Sequence, residues 1–127
     1  MDKHTITLSQ SEWHVMEALW SGPKTLMELV KELQDSAGWA KSTVTTMVRR
    51  MTEKGLIDFD TDGRTKLFRP AVTREEVVAQ ETDSLLSRAY QGSIGMMLSA
   101  MVSNKHLSKS DIDELYAILR EAEEDAK

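Results

Sequence analysis

The sequence predicts a mainly α fold, in which three short helices lead into a β-hairpin and three further helices follow. Three observations carry that expectation. Capping signatures mark helix starts at Ser9, Thr25, Thr73 and Ser108, and apolar residues recur at helical spacing behind each of them. Asp62-Gly63 sits between two short runs of strand-forming residues, which is a hairpin signal. With 2 prolines and 6 glycines in 127 residues, breaks between elements are few and easy to place.

Taken in order, Ser9 with Glu12 has capping-box spacing and opens a helix to about Ser21, with Trp13, Met16, Leu19 and Trp20 as its buried stripe. Gly22-Pro23 stops it. Thr25 with Glu28 repeats the signature and opens a helix to about Ser36, whose stripe is Leu26, Leu29, Val30 and Leu33. The third helix, Lys41 to Lys54, has a core face of Val44, Met47, Val48 and Met51. At about 100° per residue its opposite face presents Ser42, Thr45, Thr46, Arg49 and Glu53, with Arg50 on the flank. Hydroxyls cost helix propensity, so a solvated face built from them needs a reason. Gly55 is placed as a C-terminal cap, and Leu56–Asp60 and Lys66–Arg69 read as strands around a turn at Thr61–Arg64, closed by Pro70.

From Thr73, paired with Glu76, a fourth helix runs to about Gln91 with apolar Val77, Val78, Leu85, Leu86, Ala89 and Tyr90. Gly92-Ser93 breaks it. Ile94, Met97, Leu98 and Met101 make a short fifth helix. Ser108 with Asp111 caps a sixth containing Ile112, Leu115, Ile118 and Leu119, whose acidic last turn at Glu121–Asp125 is expected to fray. Residues 1–72 thus form a self-sufficient domain, and residues 73–127 a helical tail too thin to cover its own apolar faces, for which a twofold dimer is the economical solution.

Composition narrows the function. Hydrophobic residues make up 40% and charged residues 29%, values of a folded soluble protein, and 0 cysteines exclude thiolate metal sites and a cysteine nucleophile. No apolar run approaches a membrane span and the start lacks a signal peptide's apolar stretch, so a cytoplasmic location is expected. The net charge of −5 lies entirely in residues 73–127, while Lys41–Arg69 holds seven basic side chains against four acids. A local patch of that kind can meet a polyanion even in an acidic chain.

Three helices followed by a hairpin is the winged helix-turn-helix order, in which one helix enters the DNA major groove and the wing touches the backbone or minor groove. Ser and Thr hydroxyls on the third helix suit phosphates and base edges, Arg49 can reach a guanine or a phosphate, and Arg64 and Lys66 flank the wing's turn. Nothing supports catalysis: His4, His14 and His106 are scattered, no phosphate loop or nucleophile elbow occurs, and no cofactor or metal is expected. Asp58, Asp60 and Asp62 alternate as solvent-facing strand positions rather than calcium ligands. Trp39 could stack on a sugar-phosphate or pack at the helix corner. The methionines of the fifth helix suit a dimer core better than a ligand pocket.

The run WAKSTVTTMVRRMTEKGLI (39–57), then DGRTKLFRPAVTREE (62–76), the QGS break at 91–93 and the opening LSQSEWHVMEALW (8–20) together resemble the penicillinase repressor family of BlaI-, MecI- and CopY-like regulators. The resemblance covers essentially the whole chain. It implies a homodimeric repressor with a winged-helix domain and a helical dimerisation tail, bound to a palindromic operator with TACA/TGTA-like half-sites. By position it implies that Lys41, Ser42, Thr43, Thr45, Thr46 and Arg49 contact the operator, joined by Arg50 on the flank and by Arg64 and Lys66 in the wing. Val78, Leu85, Ile94, Met97, Leu98, Met101, Leu115 and Leu119 are implied as the dimer core.

Two departures matter. Ala40 stands where the family usually has serine, which removes a capping or phosphate contact. The cysteine cluster of the copper-sensing branch is absent, which places the chain nearer the cysteine-free branch. In the β-lactam branch a membrane antirepressor triggers cleavage within the fifth helix, and the alignment puts Ala100-Met101 at that point. The alternatives are a MarR-like ligand-responsive regulator, which needs a pocket near the dimer helices, and a winged-helix module that pairs with protein.

Overall fold

Ser9 caps the first helix as its spacing predicts. Its hydroxyl accepts from the Glu12 N–H at 3.1 Å, and its own N–H donates to Glu12 Oε1 at 2.9 Å. The computed structural model describes residues 7–126, in the order α1 (Gln10–Trp20), β1 (Lys24–Thr25), α2 (Leu26–Ala37), α3 (Lys41–Glu53), β2 (Ile57–Asp62), β3 (Thr65–Pro70), α4 (Arg74–Tyr90), α5 (Ile94–Asn104) and α6 (Lys109–Asp125). Capping boxes also start α2 at Thr25 and α6 at Ser108. The mainly α winged-helix fold is therefore the observed one. The chain divides into a first unit that ends at Asp83 and a second that begins at Ser84.

The core of the first unit is built from Val15, Met16 and Leu19 of α1, Leu29 and Leu33 of α2, Val44 and Met51 of α3, and Ile57, Phe68 and Val77. Each fully buried aliphatic of this kind contributes roughly 1.5–3 kcal/mol relative to an exposed position. The stripe expected on α1 is corrected here. Met16 and Leu19 are buried, but Trp13 and Trp20 are only half-buried, and Val15 and Ala18 complete the buried face instead. The indoles are too large for that layer and lie across its edge, 5.8 Å apart in a T-shaped pair, with Trp20 Nε1 donating to the Val72 carbonyl at 3.0 Å.

The sheet has the order β1-β3-β2 with both pairings antiparallel. The wing is longer and its turn tighter than expected. Pairing continues through Thr61↔Lys66 to Asp62↔Thr65, which leaves only Gly63-Arg64 as the loop. Gly63 has φ +66°, so the turn places its glycine first, as a type II′ hairpin requires. The unforeseen strand β1 pairs Lys24 with Phe68 and Thr25 with Leu67.

The recognition-helix candidate, α3, is anchored at its C-terminal end. At its C-terminus the Leu56 N–H bonds to the Met51 carbonyl at 2.9 Å and the Gly55 N–H to Thr52 at 3.1 Å, with Gly55 at φ +82°. This is a Schellman closure, and the buried Leu56 and Met51 seal it. Lys54, the C-cap of α3, reaches across to Glu12 Oε2 at 2.6 Å, so one buried carboxylate serves the α1 cap and anchors α3.

Burial pushes the Glu12 carboxyl up, but the Lys54 hydrogen bond, the Ser9 N–H, the Lys54 charge and the Ser9 hydroxyl outweigh it and hold the group below its ordinary 4.5. A carboxyl lowered on folding stabilises the fold fully above its unfolded pKa, and that contribution disappears as pH falls through the lower folded value. Glu12→Gln is therefore expected to cost about 1–2 kcal/mol at neutral pH and to lose less of its thermal midpoint than the wild type between pH 5 and pH 3. Parallel pH curves for the two proteins would refute the assignment.

In the second unit, no residue of α5 or α6 is buried. The fifth helix runs to Asn104. One boundary differs from expectation, that of the sixth helix, which stays helical to Asp125 because its alanines and glutamates are good helix formers despite their repulsion. Between α4 and α5, Gln91 and Gly92 adopt φ +49° and +82°, which ends one helix before Ser93 caps the next through the Met96 N–H.

Candidate nucleic-acid interface

The α3 sequence sorts its faces as periodicity dictates. Val44, Val48 and Met51 are buried with Met47 half-buried beside them, while Lys41, Ser42, Thr43, Thr45, Arg49 and Arg50 are exposed and Thr46 is half-buried. Ala40 is the N-cap and makes no side-chain hydrogen bond, so the missing serine does leave a capping position empty. The hydroxyls are not equivalent. Thr45 Oγ1 donates back to the Lys41 carbonyl at 2.9 Å and Thr52 Oγ1 to Val48 at 2.7 Å. Those two present lone pairs outward, as acceptors for base N–H groups, and must rotate before they can donate to a phosphate.

Between α3 and the wing lies an open groove of about 670 Å³. It brings together Thr45, Arg49, Arg64 and Lys66 from the sequence-derived set over a floor that includes Leu26, Val48, Phe59 and Phe68. Lys41, Ser42, Thr43 and Arg50, which are exposed, and Thr46, which is half-buried, do not line it. Thr52 and Glu53 also line the groove. They escaped the site set, although the i+4 step from Arg49 to Glu53 was a readable signal.

Not every cation in the patch is available. Arg69 pairs with Asp60 and with Asp58 at 3.4 Å, and Lys54 is tied to Glu12. Arg49 faces Glu53 at 3.7 Å, and Lys66 Nζ lies 4.5 Å above the Phe59 ring. Asp58 and Asp60 thus share the Arg69 guanidinium, and no group of three or more His, Asp or Glu among the described residues is arranged to hold a metal. His14 packs edge-on against Trp39 at 5.7 Å, which fixes that tryptophan in the half-buried corner between helices. His106 lies in the second unit, and His4 is outside the described residues.

The residues assigned to dimerisation are uncovered in the single chain. Ile94 is 64% exposed, Leu119 55% and Met101 52%, with Val78 and Leu85 close behind, while Met97, Leu98 and Leu115 are half-buried. A concavity of about 410 Å³ between α5 and α6 is lined by Leu98, Val102, Leu107, Ile112, Leu115 and Leu119, among others. Ala100-Met101 lies inside α5, with Ala100 half-buried. No described helix is long and apolar enough to cross a membrane.

Comparison with known proteins agrees with this geometry. The chain is 30% identical over 115 residues to the penicillinase repressor of Bacillus licheniformis, covering 90% of each. Among solved structures, the solution structure of the DNA-binding domain of the repressor BlaI superposes with a TM-score of 0.52 at 26% identity, over 59% of this chain and 93% of that one. The Bacillus licheniformis BlaI monomeric form in complex with the blaP half-operator gives 0.50 at 27% identity, over 57% and 90%. The penicillinase repressor profile matches residues 8–121, and the chain belongs to that family, one of transcriptional regulators and not of enzymes.

Proposed function

We propose that this protein is a homodimeric, cytoplasmic, sequence-specific DNA-binding repressor of a palindromic operator. α3 enters the major groove through Lys41, Ser42, Thr43, Thr45, Thr46, Arg49 and Arg50, and the wing follows the backbone with Arg64 and Lys66. The observation that carries this is the groove between α3 and the wing, in which Thr45 and Arg49 of the helix and Arg64 and Lys66 of the hairpin present cations and hydroxyls to one opening. A similar protein, BlaI, was solved with a half-operator. Functionally, residues 1–72 bind DNA and residues 73–127 dimerise, although the first turns of α4 pack with the DNA-binding core through Val77.

Dimerisation is supported by the uncovered apolar residues of α5 and α6, which a second copy would bury. One protomer holds one half-site, and linkage supplies the avidity. A signal acting on the tail, such as cleavage at Ala100-Met101 by a protease coupled to a membrane sensor, would end repression by dividing the dimer. That bond is helical, so α5 must open before it can be cut.

The test is fluorescence anisotropy against a palindrome with TACA/TGTA half-sites and against a scrambled duplex, across about 50–200 mM salt. A preference above ~10³ that persists at the higher salt is expected. Equal, weak and salt-sensitive binding to both duplexes would refute this operator.

A further inference from the structure

We infer that Glu53 is a positioning residue for sequence reading: it holds Arg49 toward the groove and makes that groove discriminate against DNA in general. The inference rests on the DNA-binding function proposed above. Glu53 is the last residue of α3, its Oε2 lies 3.7 Å from Arg49 Nη1, and both side chains are well exposed, at 67% and 61%. It is the one acid among the groove-lining residues, which otherwise offer Arg49, Arg64 and Lys66. The wing's own acids, Asp58, Asp60 and Asp62, do not line the groove, and the first two share the Arg69 guanidinium.

Helix stability does not account for this pair. A carboxylate in the last turn opposes the helix dipole, and a basic residue four positions before an acidic one is the weaker orientation of such a pair. Exposed pairs of this kind contribute little in any case. A carboxylate facing a polyanion also costs affinity. What the pair does provide is direction. A guanidinium restrained beside the groove keeps its planar fork ready for a base edge, whereas a free one settles on the nearest phosphate. If Arg49 moves to a phosphate, Glu53 is left facing the backbone without its counter-charge. If Arg49 stays on the base edge, the pair persists. Incorrect sequences are thereby penalised more than the correct one.

The experiment compares wild type, Glu53→Gln and Glu53→Asp on two probes at one salt concentration: a duplex selected by the wild-type protein from a randomised pool, and its scrambled counterpart. Glu53→Gln is expected to bind scrambled DNA severalfold more tightly and to lower the selected-to-scrambled ratio about tenfold, the scale on which contacting neighbours couple. Glu53→Asp keeps the charge but withdraws it by one methylene. Its affinity for scrambled DNA should match the wild type while its affinity for the selected duplex falls. In an Arg49→Ala background, Glu53→Gln should no longer lower the ratio, and thermal midpoints should stay unchanged throughout. An unchanged ratio in Glu53→Gln overturns the inference. An equal loss with and without Arg49 overturns it too, because Glu53 would then touch the base itself. A wild-type protein that selects no duplex refutes the DNA-binding reading instead.

Discussion

Met97→Asp is expected to give a folded monomer that no longer holds a palindrome. Met97 lies in α5, half-buried among the apolar residues that leave Ile94, Met101 and Leu119 uncovered. In a twofold interface each substitution occurs twice, so two unpaired carboxylates would be desolvated at one contact, at several kcal/mol each. The core of the first unit contains no α5 residue, so the DNA-binding domain should fold as before. Loss of linkage should weaken operator binding by about 10²–10⁴-fold, while half-site binding stays close to that of one wild-type protomer. Sedimentation equilibrium, circular dichroism and anisotropy on one preparation check all three points. A monomeric variant that bound the palindrome as tightly as wild type would remove dimerisation from the mechanism.

Arg49→Ala is the second large effect. Arg49 is exposed on the outer face of α3 and lines the groove with Arg64 and Lys66. If its fork meets a guanine, removal should cost about 1–3 kcal/mol on the operator and much less on scrambled DNA. A loss of the same size on both duplexes would assign it to a phosphate. Arg49→Lys is informative beside it, because an ammonium retains the charge and loses the bidentate geometry. Recovery on scrambled DNA without recovery on the operator is the expected pattern.

Much of this was legible in the sequence because its signals are local. The boxes at Ser9/Glu12, Thr25/Glu28 and Ser108/Asp111 each span four residues, and each forms as read. The faces of α3 follow from one helix's periodicity. What was missed depends on partners distant in sequence. Strand β1 is two residues long and has no pattern of its own; it exists because β3 offers it Phe68 and Leu67. Lys54 and Arg69 counted as free cations until folding set them beside Glu12, 42 residues away, and beside Asp58 and Asp60. The wing's turn was placed too wide because Asp62-Gly63 carries turn chemistry that hides the ladder pairing of Thr61 and Asp62 with Lys66 and Thr65. Glu53 was read as part of a face, and only the groove showed what that face meets.

The wing and the α1–α3 anchor also change how the protein behaves as a polyelectrolyte partner. Duplex DNA carries condensed counterions, and each phosphate met by a lysine or arginine sets some of them free, an entropy gain open to any sequence. Two of the cations between Lys41 and Arg69 are already neutralised inside the fold, Lys54 by Glu12 and Arg69 by Asp58 and Asp60. They have little charge left with which to displace ions from DNA. On the proposed function, the indiscriminate part of binding should be smaller than the residue count suggests, leaving a larger share to base contacts, which ionic strength barely touches. Internal pairing of these two cations should thus make occupancy of the right site less sensitive to the surrounding salt.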